Sequence, residues 1–195
     1  MVPADRPIVV AALPRGGVPV AAGIADALGA PLDVVLVRKL GVPGHRELAM
    51  GAIGEGGAVV WNDELVRRLN ITDGHRARAL QRGRAELEGA ARRWRGDRAA
   101  VDVAGAAVVV VDDGIATGAT ARAAAAVLRA RGAARLVLAA PVAPPDFDGA
   151  PEFDATVIDD RPTGFVAVGQ HYVDFAEVAD ATVVELLHRQ RDAPP

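Results

Sequence analysis

Residues 107–120 read AVVVVDDGIATGAT, and no other stretch of the chain constrains its fold as tightly. The first five are apolar and mostly β-branched, the composition of a strand buried on both faces of a parallel sheet. Asp112 and Asp113 follow at the C-terminal end of that strand, the edge at which open α/β sheets bind ligands. Gly114 and Gly118 allow a sharp turn and a close approach of backbone to a ligand. Ala116, Thr117, Gly118, Ala119 and Thr120 then present backbone N–H groups and two hydroxyls at a helix N-terminus. Unpaired donors and the helix dipole attract phosphate there. The adjacent carboxylates would repel a bare phosphate, so the stretch points to a ligand that carries a phosphate together with hydroxyls or a bound cation. The plainer alternative is a strand–turn–helix with an aspartate cap, but a cap requires neither two acids nor the threonine–glycine elements.

The chain has 195 residues, enough for one well-buried domain over 1–195 with little room for a second. Hydrophobic residues make up 51% and aromatics 4%, so the core is mostly alanine, valine and leucine. A net charge of −3 gives no general field for polyanions. With no cysteine, disulfide and thiol chemistry are excluded. No apolar run approaches the ~20 residues of a membrane span. The opening MVPADRPIVV lacks the pattern of a signal peptide. A cytoplasmic location without a membrane partner is the expectation.

In chain order, residues 7–13 read as the first strand, followed by Pro14-Arg15-Gly16-Gly17 and a helix over 18–28 closed by Gly29. Gly16 and Gly17 free backbone N–H groups to face outward, and Arg15 offers a forked donor suited to phosphate. Residues 32–37 predict a second strand with Arg38 and Lys39 at its C-terminal end, facing the same edge as Asp112. Residues 41–57 hold six glycines and no clear period, which predicts a long connection that is either a functional loop or disordered, with His45, Arg46, Glu47 and Glu55 as its polar candidates. A short hairpin strand follows over 58–61, then a short helix capped by Asn62 or Asp63. Thr72 caps a long helix over 73–95, its buried face marked by Leu80, Leu87 and Trp94. Arg76, Arg78, Arg82, Arg84, Arg92, Arg93, Arg95 and Arg98 make that helix region basic. No aromatic platform accompanies them, so they read as a solvated face or subunit contact and not as a nucleic-acid surface. An alanine-rich helix over 119–131 ends at Gly132, strands follow over 135–140 and 155–158, and Asp180 caps a final helix over 181–191. His171 and His188 have no partner at ligand spacing and read as non-metal residues. The pattern is that of the α/β class: an open, mostly parallel sheet flanked by helices, with Arg15, Lys39 and 112–120 converging on one cleft.

VVVVDDGIATGAT resembles the 5-phosphoribosyl 1-pyrophosphate (PRPP) motif of type I phosphoribosyltransferases, two acidic residues followed by a small loop containing T-G-x-T. LPRGGVPVA, VRKLGVPG, ELAMGAIGEGG and HYVDF are similar to segments of a bacterial group in that family whose acceptor is not settled, and the resemblance spans about residues 8–180. It implies a core over about 7–140, a mobile loop over about 41–57 that closes over PRPP and excludes water, and a small hood over about 141–176. It further implies a homodimer that uses Mg²⁺ to transfer a phosphoribosyl group from PRPP to a nitrogen nucleophile, a nucleobase or related heterocycle. By the same resemblance, residues 116–120 hold the 5-phosphate, while Asp112 and Asp113 bind the ribose hydroxyls and orient the metal. Arg15, Gly16, Gly17, Arg38 and Lys39 meet the pyrophosphate, in a loop where family members often hold a non-proline cis peptide. Phe165 stacks on the base, and Asp174 meets the metal-bound pyrophosphate, at a longer spacing than in purine-salvage members. Ala116 stands where hypoxanthine-type members have an aspartate, which leaves Glu47, Glu55, His45 or water to move the acceptor's proton. Many members also have a helix before the first strand, so here either the core is covered from elsewhere, such as by a second subunit, or that face is open. Two other functions share these motifs: a PRPP-binding regulator without turnover, and a hydrolase that uses water as acceptor.

Overall fold

The computed structural model describes residues 6–192, excepting the side chains of residues 46, 47 and 190–192. The chain begins with β1 (Ile8–Ala12), α1 (Gly17–Leu28) and β2 (Leu32–Val34). Then come β3 (Val37–Val42), β4 (His45–Gly54), β5 (Val59–Trp61), α2 (Asp63–Arg68) and α3 (Asp73–Arg95). It closes with β6 (Ala107–Val111), α4 (Ala119–Ala130), β7 (Arg135–Val142), β8 (Ala155–Asp160) and α5 (Asp180–Asp192).

Five strands form one sheet in the order β2-β1-β6-β7-β8, every neighbouring pair parallel. The period-two alternation of a strand sends successive side chains to opposite faces. Val10, Ala12, Val109 and Val111 enter a core shared with α1, α3 and α5, whereas Val9, Ala11, Val108 and Val110 enter a second core against α4. Alanines at 121, 124 and 125 let α4 lie close to the strands. The face left without a leading helix is covered from within the chain: α5 packs on α1 and α3, with Val183 and Leu187 buried. No second subunit is needed for that cover.

The structure corrects the expectations for two neighbouring segments. Residues 32–37 do not form one strand. The edge strand β2 pairs only with β1, whose last partner is Ala12 opposite Val34, so the ladder stops there and the chain leaves the sheet. Arg38 and Lys39 consequently lie on β3, in a separate antiparallel sheet of order β3-β4-β5. Residues 41–57 are mostly strand, not irregular loop: β3 and β4 form a hairpin that turns at Gly44, with register shifts around Gly41. The glycines that hide this pattern mark close packing. A Cβ at Gly51 would strike the Val60 carbonyl, and one at Gly54 would strike Val127 of α4. Across the sheet, a Cβ at Gly83 of α3 would lie 2.8 Å from Ile53.

The small sheet is tied to the large one by a buried ion network. Arg95, at the end of α3, is 4% exposed. Its Nε donates to Asp33 at 2.6 Å, its Nη2 to the Val34 carbonyl at 2.7 Å, and its Nη1 to Glu55 just after β4. Asp33 also accepts from the Val101 N–H at 2.8 Å. Arg95 is therefore not part of a solvated basic face. Removing one partner of a buried ionic set strands the other charges. We expect Arg95→Ala to cost about 3–5 kcal/mol in urea unfolding, and Arg92→Ala, which breaks an exposed pair with Glu88, to cost less than about 0.5 kcal/mol.

Candidate active site

β1 lies next to the edge strand of the large sheet, with β2 on one side and the central strand β6 on the other, so strand order reverses between β1 and β6. A crevice opens at such a switch point, outside the carboxyl ends of the strands. Two loops meet there. The Leu13 N–H donates to the Val111 carbonyl at 2.7 Å, which holds the β1–α1 loop alongside β6. That loop contains a cis peptide between Pro14 and Arg15, in the position the family resemblance implies. A Cβ at Gly17 would lie 2.5 Å from the Val111 carbonyl oxygen, and one at Gly16 would collide with the Asp113 carboxylate. Only glycine permits the two loops to touch.

After β6 the chain leaves the sheet through Asp112 and Asp113, both partly buried. The Asp113 N–H donates to Asp112 Oδ1 at 3.0 Å. Burial, reinforced by the negative charge of Asp113, pushes the Asp112 carboxyl up to about 7. Burial also raises Asp113. The Tyr172 hydroxyl donates to the Asp113 carbonyl at 2.6 Å, and burial and then the two carboxylates raise its pKa. Such a pair of unwelcome anions is a place where a cation or hydroxyl donors bind favourably.

Residues 114–121, with Asp112, line a pocket of about 140 Å³ at the N-terminus of α4. Gly118 makes the turn at φ +68°, and the Ala119 N–H reaches Thr117 Oγ1 at 3.3 Å. The Arg122 guanidinium donates to the Thr117 carbonyl and braces the loop from α4. Beside it opens a cleft of about 610 Å³, lined on one wall by Pro14, Arg15 and Gly16 and on the other by Tyr172, Asp174 and Phe175, with Asp113 between them. Arg15 is ion-paired with Glu177 and lies 3.5 Å from Asp180 at the start of α5.

The residues singled out from the sequence divide accordingly. Asp112, Asp113, Ala116, Thr117, Gly118, Ala119, Thr120, Arg15, Gly16 and Asp174 line the two adjoining cavities. Gly17 packs beneath them against β6. Arg38 is held by Glu86 of α3 at 3.0 Å, and neither it nor Lys39 lines the cleft. Glu55 is engaged by Arg95 and does not line the cleft. The Glu47 side chain lies outside the described residues. Phe165 stacks on His171 at 5.5 Å and does not line the cleft. The aromatics that do so are Tyr172 and Phe175, in tilted contact at 5.1 Å. HYVDF carries that signal, since the chain has one tyrosine and it stands two residues before Asp174.

Among the described residues no cluster of three His, Cys, Asp or Glu side chains forms a metal cage. The all-oxygen pair Asp112–Asp113 still suits a hard cation such as Mg²⁺, which keeps waters and substrate oxygens as most of its ligands.

A phosphoribosyl transferase domain model matches residues 4–175. The chain belongs to the phosphoribosyl transferase family. It is 48% identical over 187 residues to "Putative phosphoribosyl transferase Rv0571c" of Mycobacterium tuberculosis H37Rv, covering 94% of this chain and 42% of that protein. The corresponding protein of strain CDC 1551, MT0597, matches to the same extent. The chain thus spans less than half the length of these relatives. A crystal structure of TT1426 from Thermus thermophilus superposes with a TM-score of 0.84 at 41% identity, covering 95% of this chain and 88% of that one. Among the described residues no helix is long and apolar enough to cross a membrane.

Because the folded Asp112 binds its proton more tightly than the unfolded one, stability is highest below about pH 4 for this group and falls as pH rises toward about 7. Asp112→Asn keeps the Oδ1 acceptor and removes the charge. We expect it to raise stability at pH 8 by about 1–3 kcal/mol and to flatten that slope, measured by urea unfolding from pH 4 to 8.

Proposed function

We propose that this domain transfers a 5-phosphoribosyl group from PRPP to a nitrogen nucleophile, a nucleobase or related heterocycle, with release of pyrophosphate. The observation that carries this reading is the junction of the two cavities at Asp112–Asp113: an amide-lined pocket of about 140 Å³ opens beside a cleft of about 610 Å³ at the switch point. In it, residues 116–120 take the 5-phosphate through backbone N–H groups. Asp112 and Asp113 accept hydrogen bonds from the ribose hydroxyls, which places C1 at the mouth of the cleft. Arg15, with the backbone of Gly16 and Gly17, meets the pyrophosphate, exchanging the carboxylate of Glu177 for phosphate oxygens. Donors aimed at a departing anion contribute about 3 kcal/mol each. Asp112, Asp113 and Asp174 would hold Mg²⁺ through substrate or water, and the ion would neutralise charge on the pyrophosphate. The β3–β4 hairpin closes over the reacting centre and keeps water from C1. Lys39, exposed on that hairpin and away from this chain's own cleft, would meet the pyrophosphate of a second copy in a homodimer. The activity belongs to cytoplasmic nucleotide metabolism on this reading.

Titration calorimetry with PRPP and Mg²⁺ tests it. We expect binding to the wild-type chain and at least a hundredfold loss, about 3 kcal/mol, in the Asp112→Asn, Asp113→Asn double variant; unchanged Mg²⁺-dependent affinity would refute the assignment. Pyrophosphate release that requires an added heterocycle separates transfer from hydrolysis, and release with water alone would favour a hydrolase. Light scattering should give twice the 20.1 kDa chain mass.

A further inference from the structure

The cleft says what kind of acceptor it takes. Resting on the reading above, with PRPP held over Asp112 and Asp113, we propose that the acceptor is a planar heterocycle that offers N–H donors to the cleft and carries no negative charge, an amino- or amide-substituted base and not an oxo-only or carboxylated one.

Donors and acceptors are unequally supplied in the cleft wall. Five side chains lining it can form hydrogen bonds: Arg15, Asp113, Tyr172, Asp174 and Glu177. Three are carboxylates, which when ionised only accept. The proton of Tyr172 is already committed to the Asp113 carbonyl, so toward a ligand its oxygen accepts. Arg15 is the one cationic donor in the lining, and it is ion-paired with Glu177 and assigned to pyrophosphate. Pro14 and Pro19, also in the wall, have no N–H to give. Asp174 spends one oxygen on the Ala176 N–H at 3.1 Å. The wall that remains for an acceptor is rich in acceptors and poor in donors. Asp113 and, through Mg²⁺, Asp174 are assigned to ribose and pyrophosphate, so the side chains left for the acceptor are the Tyr172 oxygen and the Glu177 carboxylate: a ligand carbonyl would meet no side-chain donor there, and a ligand carboxylate would face the like charge of Glu177. A ligand amine or amide N–H is satisfied by the same groups. The rings of Tyr172 and Phe175 supply a flat apolar surface beside them.

The chemistry balances without a redox partner. The acceptor nitrogen forms a bond to C1 of the ribose, and the C1–oxygen bond breaks with its electron pair leaving on pyrophosphate. Where that nitrogen carries a proton, the proton passes to a cleft carboxylate or to water.

The test uses matched pairs: adenine with hypoxanthine, cytosine with uracil, and nicotinamide with nicotinate. Each is incubated with the chain, PRPP and Mg²⁺, and phosphoribosyl adducts are quantified by mass spectrometry. We expect the first member of the pairs that react to exceed the second by at least about a hundredfold in kcat/KM, since a site built to pair polar groups rejects the unpaired analogue strongly. Equal or greater use of hypoxanthine, uracil or nicotinate overturns the proposal. If no pair turns over, the same compounds are titrated into the chain saturated with Mg²⁺ and pyrophosphate; binding without preference for the amino or amide member, or no binding, also overturns it. Glu177→Gln should reduce the nicotinamide-to-nicotinate ratio by about tenfold by removing the repelling charge, and an unchanged ratio counts against the assignment. Failure of PRPP to bind at all would instead sink the reading on which this one rests.

Discussion

The parallel pairing of β1 with β6 is the constraint on which the remainder of the molecule depends. Five residues of each strand are in register, from Ile8 opposite Ala107 to Ala12 opposite Val111. Both strands are apolar on both faces, so they are stable only between two helical layers. Once α1, α3 and α5 cover one face and α4 the other, the two strands end at the same height. Their following loops must then share one small volume. Gly16 and Gly17 are what sharing it requires, because a side chain at either position would enter the Asp113 carboxylate or the β6 backbone. The site is the consequence of packing the centre of the sheet.

That packing also sets the electrostatics. Asp112 leaves the sheet from a strand in which every residue is buried, and Asp113 follows under the hydroxyl of Tyr172. Two neighbouring carboxylates there lose hydration and repel each other, and both are raised. The folded chain holds them in place because the strand and its loop are fixed by long-range contacts: Asp112 N–H to the Ala139 carbonyl at 3.2 Å and Ile115 N–H to the Val142 carbonyl at 2.8 Å. Local destabilisation of this kind is common at functional sites, and it is relieved by a ligand that brings positive charge or hydroxyl donors.

Much of this is legible in the sequence, for local reasons. AVVVVDDGIATGAT contains strand, acids, turn and helix start within contiguous residues, so each signal reinforces the next. Thr72 at the head of α3 is similarly local, its Oγ1 accepting from the His75 N–H at 3.3 Å. The features that sequence misleads on depend on partners far along the chain. LDVVLV reads as one strand by composition, yet β2 ends where its neighbour β1 runs out of residues, a fact visible only once the strands are paired. Arg95 lies among other arginines and resembles them, but its partners are Asp33 and Glu55, 62 and 40 residues away. The same bond withdraws Glu55 from the candidate acids and bases. Phe165 is singled out only by the family resemblance, whereas a short 3₁₀ turn at Val168–His171 precedes Tyr172 and Phe175, the aromatics that line the cleft.

The end of α3 joins these parts. Three consecutive residues there reach three different regions. Arg93 approaches Asp180 at 3.5 Å, the Trp94 indole donates to the same carboxylate at 2.8 Å, and Arg95 holds Asp33 and Glu55. Asp180 in turn faces Arg15 across the cleft wall. One helical turn therefore connects the base of the β3–β4 hairpin to the arginine assigned to pyrophosphate. Trp94 and Arg95 are buried and packed, so neither end of this linkage moves without disturbing the core between α3 and the sheet. The hairpin and the β1–α1 loop, separated by α1 and the sheet edge in sequence, share one support. On the proposed reading, a hairpin that closes over substrate would lose less entropy for having its root already held.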